Sequence, residues 1–282
     1  MTDAARATVI VPAHNESAVI ERCLATLLAG ALPGEFQVVV VSNGSHDATA
    51  ALARSFTSHP VEVVELPAPS KIAALRAGLA RARTGVRVVV DADVLLGTSA
   101  LRELVSALAA AEPNPRAGSP QLAVDTFASS PLVRAYYRTW TRLPYVRTGM
   151  IGSGVFAVNL AGASRLSTLP DILNDDEWVR RSFPPPERIT TLATFTMTAP
   201  RTLRALISRN ARAHLGNREL NSKNPGNGNT IGDLIKAVRS REVTPTDALA
   251  YFAVVALSRT LARWRLATGR ARQWSTDHTS RT

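Results

Sequence analysis

A doubly wound, mostly parallel α/β sheet with helices on both faces is the fold class this sequence predicts. Three observations predict it. Apolar, β-branched runs recur at Thr8–Val11, Phe36–Val41, Val61–Leu66 and Arg87–Val90. Stretches with helical spacing alternate with them: Glu16–Ala29, Asp47–Phe56, Lys71–Arg83 and Leu101–Ala110. The strands containing VVVV and RVVV are apolar throughout, as expected where helices cover both faces of a parallel sheet.

The first hundred residues thus read as βαβαβαβα. Beyond them, Gln121–Phe127 and Ile189–Met197 predict strands, and Leu132–Leu143, Asp175–Ser182 and Arg201–Leu215 predict helices. Met150–Asn159 is glycine-rich. The run NSKNPGNGN at Asn221–Asn229 is the clearest loop and the expected boundary. It separates a main domain, 1–220, from a helical C-terminal extension, 221–282. Helical segments are expected there at Ile231–Arg239 and Ala248–Leu266.

Composition agrees with a globular body. The chain has 282 residues, 45% hydrophobic and 20% charged, which excludes disordered and fibrous classes. Charge is uneven. Residues 1–200 carry 18 Lys+Arg against 17 Asp+Glu, whereas 201–282 carry 15 against 5. A basic end suits anionic partners such as a membrane surface or a lipid phosphate, although an Arg- and Ala-rich composition alone produces the same bias. Cys23 is the only cysteine, so no internal disulfide forms, and a reducing cytoplasm fits. The opening MTDAARATVIVPAHNE lacks the long apolar region of a signal peptide, and no stretch of about 18 apolar residues is expected to span a membrane.

Ligands of such sheets sit beyond the carboxyl ends of the strands. After strand one stands Pro12-Ala13-His14-Asn15-Glu16, where Asn15 reads as a helix cap and Glu16 as a first-turn acid. After strand two stands Ser42-Asn43-Gly44-Ser45-His46-Asp47; Gly44 permits a tight turn, and Ser45 and Asp47 can cap the next helix. After strand four stands Asp91-Ala92-Asp93. In an extended segment both carboxylates point one way, and a divalent cation would relieve their repulsion. Hard oxygen ligands suit Mg2+ or Mn2+, and those ions bridge diphosphates.

In their order and spacing these motifs resemble the family 2 glycosyltransferases, which have the GT-A fold. The opening Val-Pro-Ala-His-Asn-Glu, the Asn-Gly-Ser-His-Asp-Ala-Thr turn, the lysine-led helix from Lys71 through Gly78, and the Asp-Ala-Asp pair all fall in family order over about residues 8–216. The resemblance implies a nucleotide-sugar donor bound by 1–115 and an acceptor held by 116–220. Pro12, Ala13, His14, Asn15, Glu16, Asn43, Gly44, Ser45 and Lys71 would hold the nucleotide. Asp91, Ala92 and Asp93 would lie against ribose and metal, with Asp93 nearest the ion and Asp91 beside it. Two sites depart from the family: Arg76 replaces a usual Asn, and Ser42-Asn43 replaces Asp-Asp. An Asp there accepts from the base imide; Asn43 can accept but lacks the charge. UDP is the default donor base and GDP the alternative.

On the acceptor side, Asp175-Asp176 aligns with the family's acidic pair, which makes Asp176 the expected catalytic base and Asp175 its rival. Gly152, Ser153 and Gly154 match a glycine-containing segment beside donor sugar and acceptor. Arg209 and Arg212 stand where processive members carry Gln, two residues and Arg-Trp; Ala213 replaces that Trp, which points to transfer of a single sugar. Tyr136, Tyr137, Trp140 and Tyr145 at helical spacing fit a core better than a sugar-stacking wall. The apolar ALAYFAVVAL at Ala248–Leu257, followed by Arg259, Arg263, Arg265, Arg270 and Arg272 with Trp264 and Trp274, fits either an interfacial membrane helix or one packed on the body. The expectation is therefore an inverting glycosyltransferase, cytoplasmic or peripheral on the inner face of the cell membrane. Its acceptor would be a lipid-linked or cell-envelope glycan, and no motif predicts nucleic-acid binding. The alternative is a nucleotide-sugar-binding protein of the same fold without transfer.

Overall fold

The structure, a computed structural model, describes residues 5–147, 150, 153–221 and 228–269. Two compact units compose it. The first unites residues 1–123, 150–171 and 182–197; the second unites 124–149, 172–181 and 198–282.

Along the chain, β1 (Ala7–Ala13), α1 (Ile20–Leu28), β2 (Phe36–Asn43), α2 (Thr49–Ser55), β3 (Val61–Leu66), α3 (Lys71–Leu79), β4 (Val86–Val90), β5 (Val94–Leu96), α4 (Thr98–Ala109) and β6 (Ala117–Asp125) come first. Then follow α5 (Pro131–Trp140), α6 (Pro144–Arg147), β7 (Val155–Val158), α7 (Leu160–Leu166), α8 (Asp175–Ser182), β8 (Arg188–Thr198), α9 (Leu203–Asn221), α10 (Ile231–Arg239) and α11 (Pro245–Ala267).

The first unit holds the sheet, in the order β3-β2-β1-β4-β7-β6-β8-β5. β1 pairs in parallel with β2 and β4, and β2 with β3. Beyond β4 the sheet turns antiparallel: β7 runs against β4, β6 against β7, and β5 against β8. Every residue of β1 and β7 is buried, which is why those segments carry no alternation. β3, at the edge, is only half-buried and accommodates Glu62 and Glu65.

α3 packs on β1 and β2. Gly78 permits this closeness: a Cβ there would stand 2.3 Å from Ile10 Cγ2. At the other end of β1, Glu35 accepts from Arg102 Nε at 2.7 Å and from Arg6 Nη1 at 3.3 Å, which binds the start of the sheet to α4. The side-chain bond from Arg102 is the largest cause holding the Glu35 carboxyl down, at about 2.

Several local expectations need correcting. Asn15 has φ +54° and does not cap a helix. α1 begins only at Ile20, after Val19, with no side-chain cap. β5, β7, α6 and α7 were not anticipated. α9 begins at Leu203 and continues to Asn221, into the expected loop; residues 222–227 of that loop lie outside the described residues.

The second unit is helical. α11 packs along α9 and α5, and α10 along α11. Leu143, Ala237, Val243 and Ala248 form one small core, and Ala211, Leu215 and Ala262 another. The aromatic helix serves packing, as expected. Tyr136 stacks on Tyr251 with centroids 5.2 Å apart and meets Tyr137 edge-on at 5.1 Å. Arg138 grips Asp247 through two parallel bonds, Nε to Oδ2 at 2.9 Å and Nη2 to Oδ1 at 2.6 Å, joining α5 to α11. α10 starts at a Thr230/Asp233 capping box, and α11 at Thr244 with Pro245 in its first turn. α11 buries Ala248, Val254, Ser258 and Ala262 and leaves Leu249, Phe252, Leu257 and Trp264 exposed. Among the described residues no helix is long and apolar enough to cross a membrane.

Two predictions follow from the first unit. Gly78→Ala gains about 1 kcal/mol of helix propensity but overpacks against a fully buried, β-branched neighbour, which costs about 1–3 kcal/mol. The net effect expected is a lower chemical-denaturation midpoint; a raised one would contradict the packing account. Because the Glu35 carboxyl lies below its ordinary 4.5, its contribution is complete above pH 4.5 and is lost as pH falls towards 2. The gap in thermal midpoint between the wild type and Glu35→Gln is therefore widest near pH 5 and closes near pH 2.

Candidate active site

In the first unit the carboxyl ends of β1, β2 and β4 converge. Register places Ala13 beside Ser42, so the two loops that follow start side by side. They are stitched together repeatedly. The Asn15 main-chain N–H donates to Ser45 Oγ at 3.2 Å, and the His46 N–H donates to Asn15 Oδ1 at 2.9 Å. The Glu16 N–H donates to Thr49 Oγ1 at 2.7 Å, and the Ser17 N–H to Asp47 Oδ2 at 3.1 Å. The left-handed backbone at Asn15 turns its side chain onto this second loop.

Asp47 also accepts from the Thr49 hydroxyl and N–H. Burial raises its carboxyl pKa, but the bonds from Thr49 and Ser17 outweigh that and leave it at about 2. Ser45 does not cap a helix. It accepts from Ser42 Oγ at 2.9 Å and braces the turn. Gly44 has φ +60°, and a Cβ there would meet Pro69 N at 2.5 Å, so the turn closes directly on the chain leading into α3.

Asn43 sits beneath the loops, 2% exposed. Its Nδ2 donates to the Ala13 carbonyl at 2.8 Å, and its Oδ1 accepts from the Ser70 N–H at 3.0 Å. Its own carbonyl accepts from His14 Nδ1 at 2.6 Å, a pairing that puts the ring hydrogen on Nδ1. Asn15 Nδ2 then donates to Nε2 at 3.3 Å. Expected to face a base, the Asn43 amide instead turns inward and joins three main-chain segments.

Ser70, which sequence reasoning passed over, links this joint to the next residue. Its hydroxyl accepts from the Ala73 N–H and caps α3 at Lys71. Lys71 Nζ reaches both oxygens of Asp91, at 2.9 and 3.1 Å. Arg76, in place of the family's Asn, donates to the Leu169 carbonyl at 2.6 Å.

Asp91-Ala92-Asp93 forms a turn rather than an extended segment, closed by the Val94 N–H on the Asp91 carbonyl at 3.2 Å. The period-two reason for both carboxylates sharing a face therefore does not apply. Gly154 packs against the turn: its carbonyl accepts from the Asp91 N–H at 2.8 Å, and a Cβ on it would meet Val94 Cγ1 at 2.8 Å. Ser153 and Gly154 both have positive φ, +43° and +101°. Gly152 lies outside the described residues. The acidic field here reaches Cys23 on α1: burial first, then Asp93, Asp91 and Glu16, push its thiol up to about 12.

Asp91 and Asp93 offer hard carboxylate oxygens at one turn, which fits a divalent cation that takes its remaining ligands from water and phosphate. Among the described residues no cluster of three or more His, Cys, Asp or Glu makes a self-sufficient metal cage.

In the second unit, Asp175 is buried and Asp176 half-buried at the start of α8. Asn174 Oδ1 accepts from the Glu177 N–H at 3.4 Å. Gly216 of α9 brings that helix against Asn174, where a Cβ would stand 2.7 Å from Asn174 Cβ. The third acid has a structural role: Glu177 accepts from Arg181 Nε at 2.6 Å, Tyr145 Oη at 2.7 Å and Arg180 Nε at 3.1 Å. The two arginines after the acidic run thus serve Glu177. Arg209 and Arg212 lie half-buried on α9, with Arg209 Nη1 donating to Tyr137 Oη at 3.3 Å.

Comparison with known proteins agrees with this geometry. The model of glycosyl transferase family 2 matches residues 8–149, which contain the β1, β2 and β4 loops, Lys71 and the Asp91–Asp93 turn. An uncharacterized glycosyltransferase of Mycobacterium tuberculosis and one of Mycobacterium bovis are each 37% identical over 101 residues, 36% of this chain and 43% of theirs. The match spans less than half the length of those relatives. Among solved structures, a mannosyltransferase from Pyrobaculum calidifontis in complex with GDP-Man and Mn2+ has a TM-score of 0.59 at 22% identity, covering 96% of this chain and 81% of that one. The glucosyl-3-phosphoglycerate synthase of Mycobacterium tuberculosis in complex with phosphoglyceric acid has a TM-score of 0.55 at 18% identity, covering 79% and 81%. These two likenesses establish the shared GT-A fold, and with half its length under the family model the chain belongs to glycosyl transferase family 2.

Proposed function

We propose that this chain transfers a single sugar from a nucleoside-diphosphate sugar to an acceptor hydroxyl, with inversion at the anomeric carbon. The observation that carries the reading is the Asp91–Asp93 turn at the end of β4, clamped by Lys71 and packed on Gly154, in a member of this family. The loops of Pro12–Glu16 and Asn43–Ser45 would cradle the nucleotide beside that turn. The buried Asn43 leaves the base to be read by other groups at the loop surface, so a UDP-sugar is the first donor to test and a GDP-sugar the second. The Pyrobaculum enzyme's GDP-Man complex supports including the latter.

Asp93, with Asp91 beside it, would hold Mg2+ or Mn2+, and a divalent cation there supplies charge against the diphosphate as it leaves. Lys71 holds the Asp91 carboxylate in place through both of its oxygens. Asp176 would take the acceptor proton as the acceptor oxygen forms its bond to the anomeric carbon and the bond to the diphosphate breaks. Glu177 is occupied by Tyr145, Arg180 and Arg181, which favours the two acids before it. Ser153 and Gly154, with Gly152, would lie beside the sugar, and Arg209 and Arg212 would serve the acceptor side. In this reading 1–115 binds donor, 116–220 binds acceptor, and the basic 221–282 meets an anionic membrane face in the cytoplasm. A lipid-linked or cell-envelope glycan is the matching acceptor. The exposed Leu249, Phe252, Leu257 and Trp264 beside Arg259 and Arg263 support the membrane contact.

A donor-hydrolysis panel over UDP-, GDP- and dTDP-sugars, with and without manganese, tests the donor half. Manganese-dependent cleavage of one donor class is expected, and Asp93→Asn should slow it by about 100-fold or more. Cleavage by Asp93→Asn at the wild-type rate would refute the metal assignment. A wild type that binds donor but cleaves none would favour a binding protein. For the base, Asp176→Asn should lower transfer to acceptor by about 10²–10⁴-fold while donor binding is unchanged. Comparable transfer in Asp176→Asn and wild type would return the role to Asp175.

A further inference from the structure

Between α9 and α11 the second unit carries a groove of about 170 Å3, lined by His214, Leu215 and Arg218 of the former and Arg259, Ala262, Arg263 and Leu266 of the latter. The spacing explains the groove. Arg259, Ala262, Arg263 and Leu266 lie on successive turns of one face, as do His214 and Arg218. Leu215 and Ala262 are buried where the helices touch and form its floor. The three guanidiniums stand exposed on its walls.

Several arginines of this unit are engaged: Arg138 by Asp247, Arg180 and Arg181 by Glu177, Arg147 by Glu242, Arg265 by Ser208. Among the described residues, no carboxylate lines the groove, and Arg218, Arg259 and Arg263 make no ion pair or side-chain hydrogen bond. Three like charges share one concavity, and an anion would relieve their repulsion. Burial, and then the charge of Arg259, hold the His214 imidazolium below the ordinary histidine range, leaving a ring that can both donate and accept.

We propose that this groove is a phosphate-binding site, in which Arg218, Arg259 and Arg263 take the oxygens of a phosphate monoester and His214 supplies a further bond. Guanidinium forks match phosphate oxygens in pairs. The volume is below the roughly 300 Å3 at which clefts for whole small molecules begin, so it suits a phosphate group whose substituent remains outside. That phosphate can belong to a lipid headgroup or to a soluble metabolite. None of the residues lining it is assigned to sugar transfer, and its test does not depend on that activity.

The test uses the full chain. Inorganic phosphate is titrated calorimetrically into wild type, Arg259→Ala/Arg263→Ala, Arg259→Lys/Arg263→Lys, and a control, Arg204→Ala/Arg239→Ala, which removes the same charge from exposed positions outside the groove. Saturable binding by wild type is expected, at least tenfold weaker in the groove alanine variant, intermediate in the lysine variant and unchanged in the control. Circular dichroism confirms equal folding, and Arg218→Ala provides a second route if the double variant unfolds. In parallel, flotation with phosphatidic acid in phosphatidylcholine vesicles distinguishes the sources. Retention lost in the groove variants but kept by the control identifies a lipid phosphate; saturable inorganic phosphate binding without retention identifies a soluble one. No saturable binding to either probe by wild type, or equal weakening in groove and control variants, overturns the proposal.

Discussion

One carboxamide connects the strand ends of the first unit. Asn43 donates to the end of β1, accepts from the residue that caps α3, and offers its own carbonyl to His14. All these bonds are buried or half-buried, so each is strengthened by its surroundings and costly to leave unmade. Ser70 passes this order to Lys71, and Lys71 passes it to Asp91. The position of the acidic turn therefore depends on a residue that itself need touch no ligand. The departure from the family's Asp is consistent with this arrangement. A carboxylate at 43 could accept from Ser70 but would face the Ala13 carbonyl with no hydrogen to give.

The parallel half of the fold was legible because burial on both faces leaves a plain mark. Val38–Val41 and Val86–Val90 are almost uniformly apolar, and nothing else explains such runs separated by helical stretches. The short strands left no comparable mark. β5 is only Val94–Leu96, and β7 follows directly on a glycine whose positive φ no periodicity reveals. Both are strands because long-range partners, β8 and β4, complete their ladders.

The site was legible as residue types and less so as geometry. Pro12–Glu16, Ser42–Asp47 and Asp91–Asp93 do converge within the first unit, yet their local roles differ from the expected ones. Asn15 reads as a cap by composition, but its left-handed backbone commits it to the second loop. The acid that follows the Asp175-Asp176 pair, Glu177, is consumed by an aromatic hydroxyl and two guanidiniums, a role that no local pattern reveals. Ser70 carries a signal legible in sequence, a hydroxyl immediately before a helical run, where a helix cap is expected. In the C-terminal region composition announced the positive charge but not its distribution. Arg138 is neutralised across 109 positions of sequence, while Arg259 and Arg263 are left on a shared face.

Cys23 has a practical bearing beyond packing. Its thiol is buried on α1 and held at about 12 by its surroundings and the nearby acids. At pH 7 burial and the nearby acids therefore keep it as the thiol rather than the thiolate, the form that alkylating and oxidising reagents attack. In its folded state the chain is thus close to thiol-silent. A cysteine introduced at an exposed surface position would be the sole reactive sulfur, and a spectroscopic reporter attached there would label one site without removing the native residue.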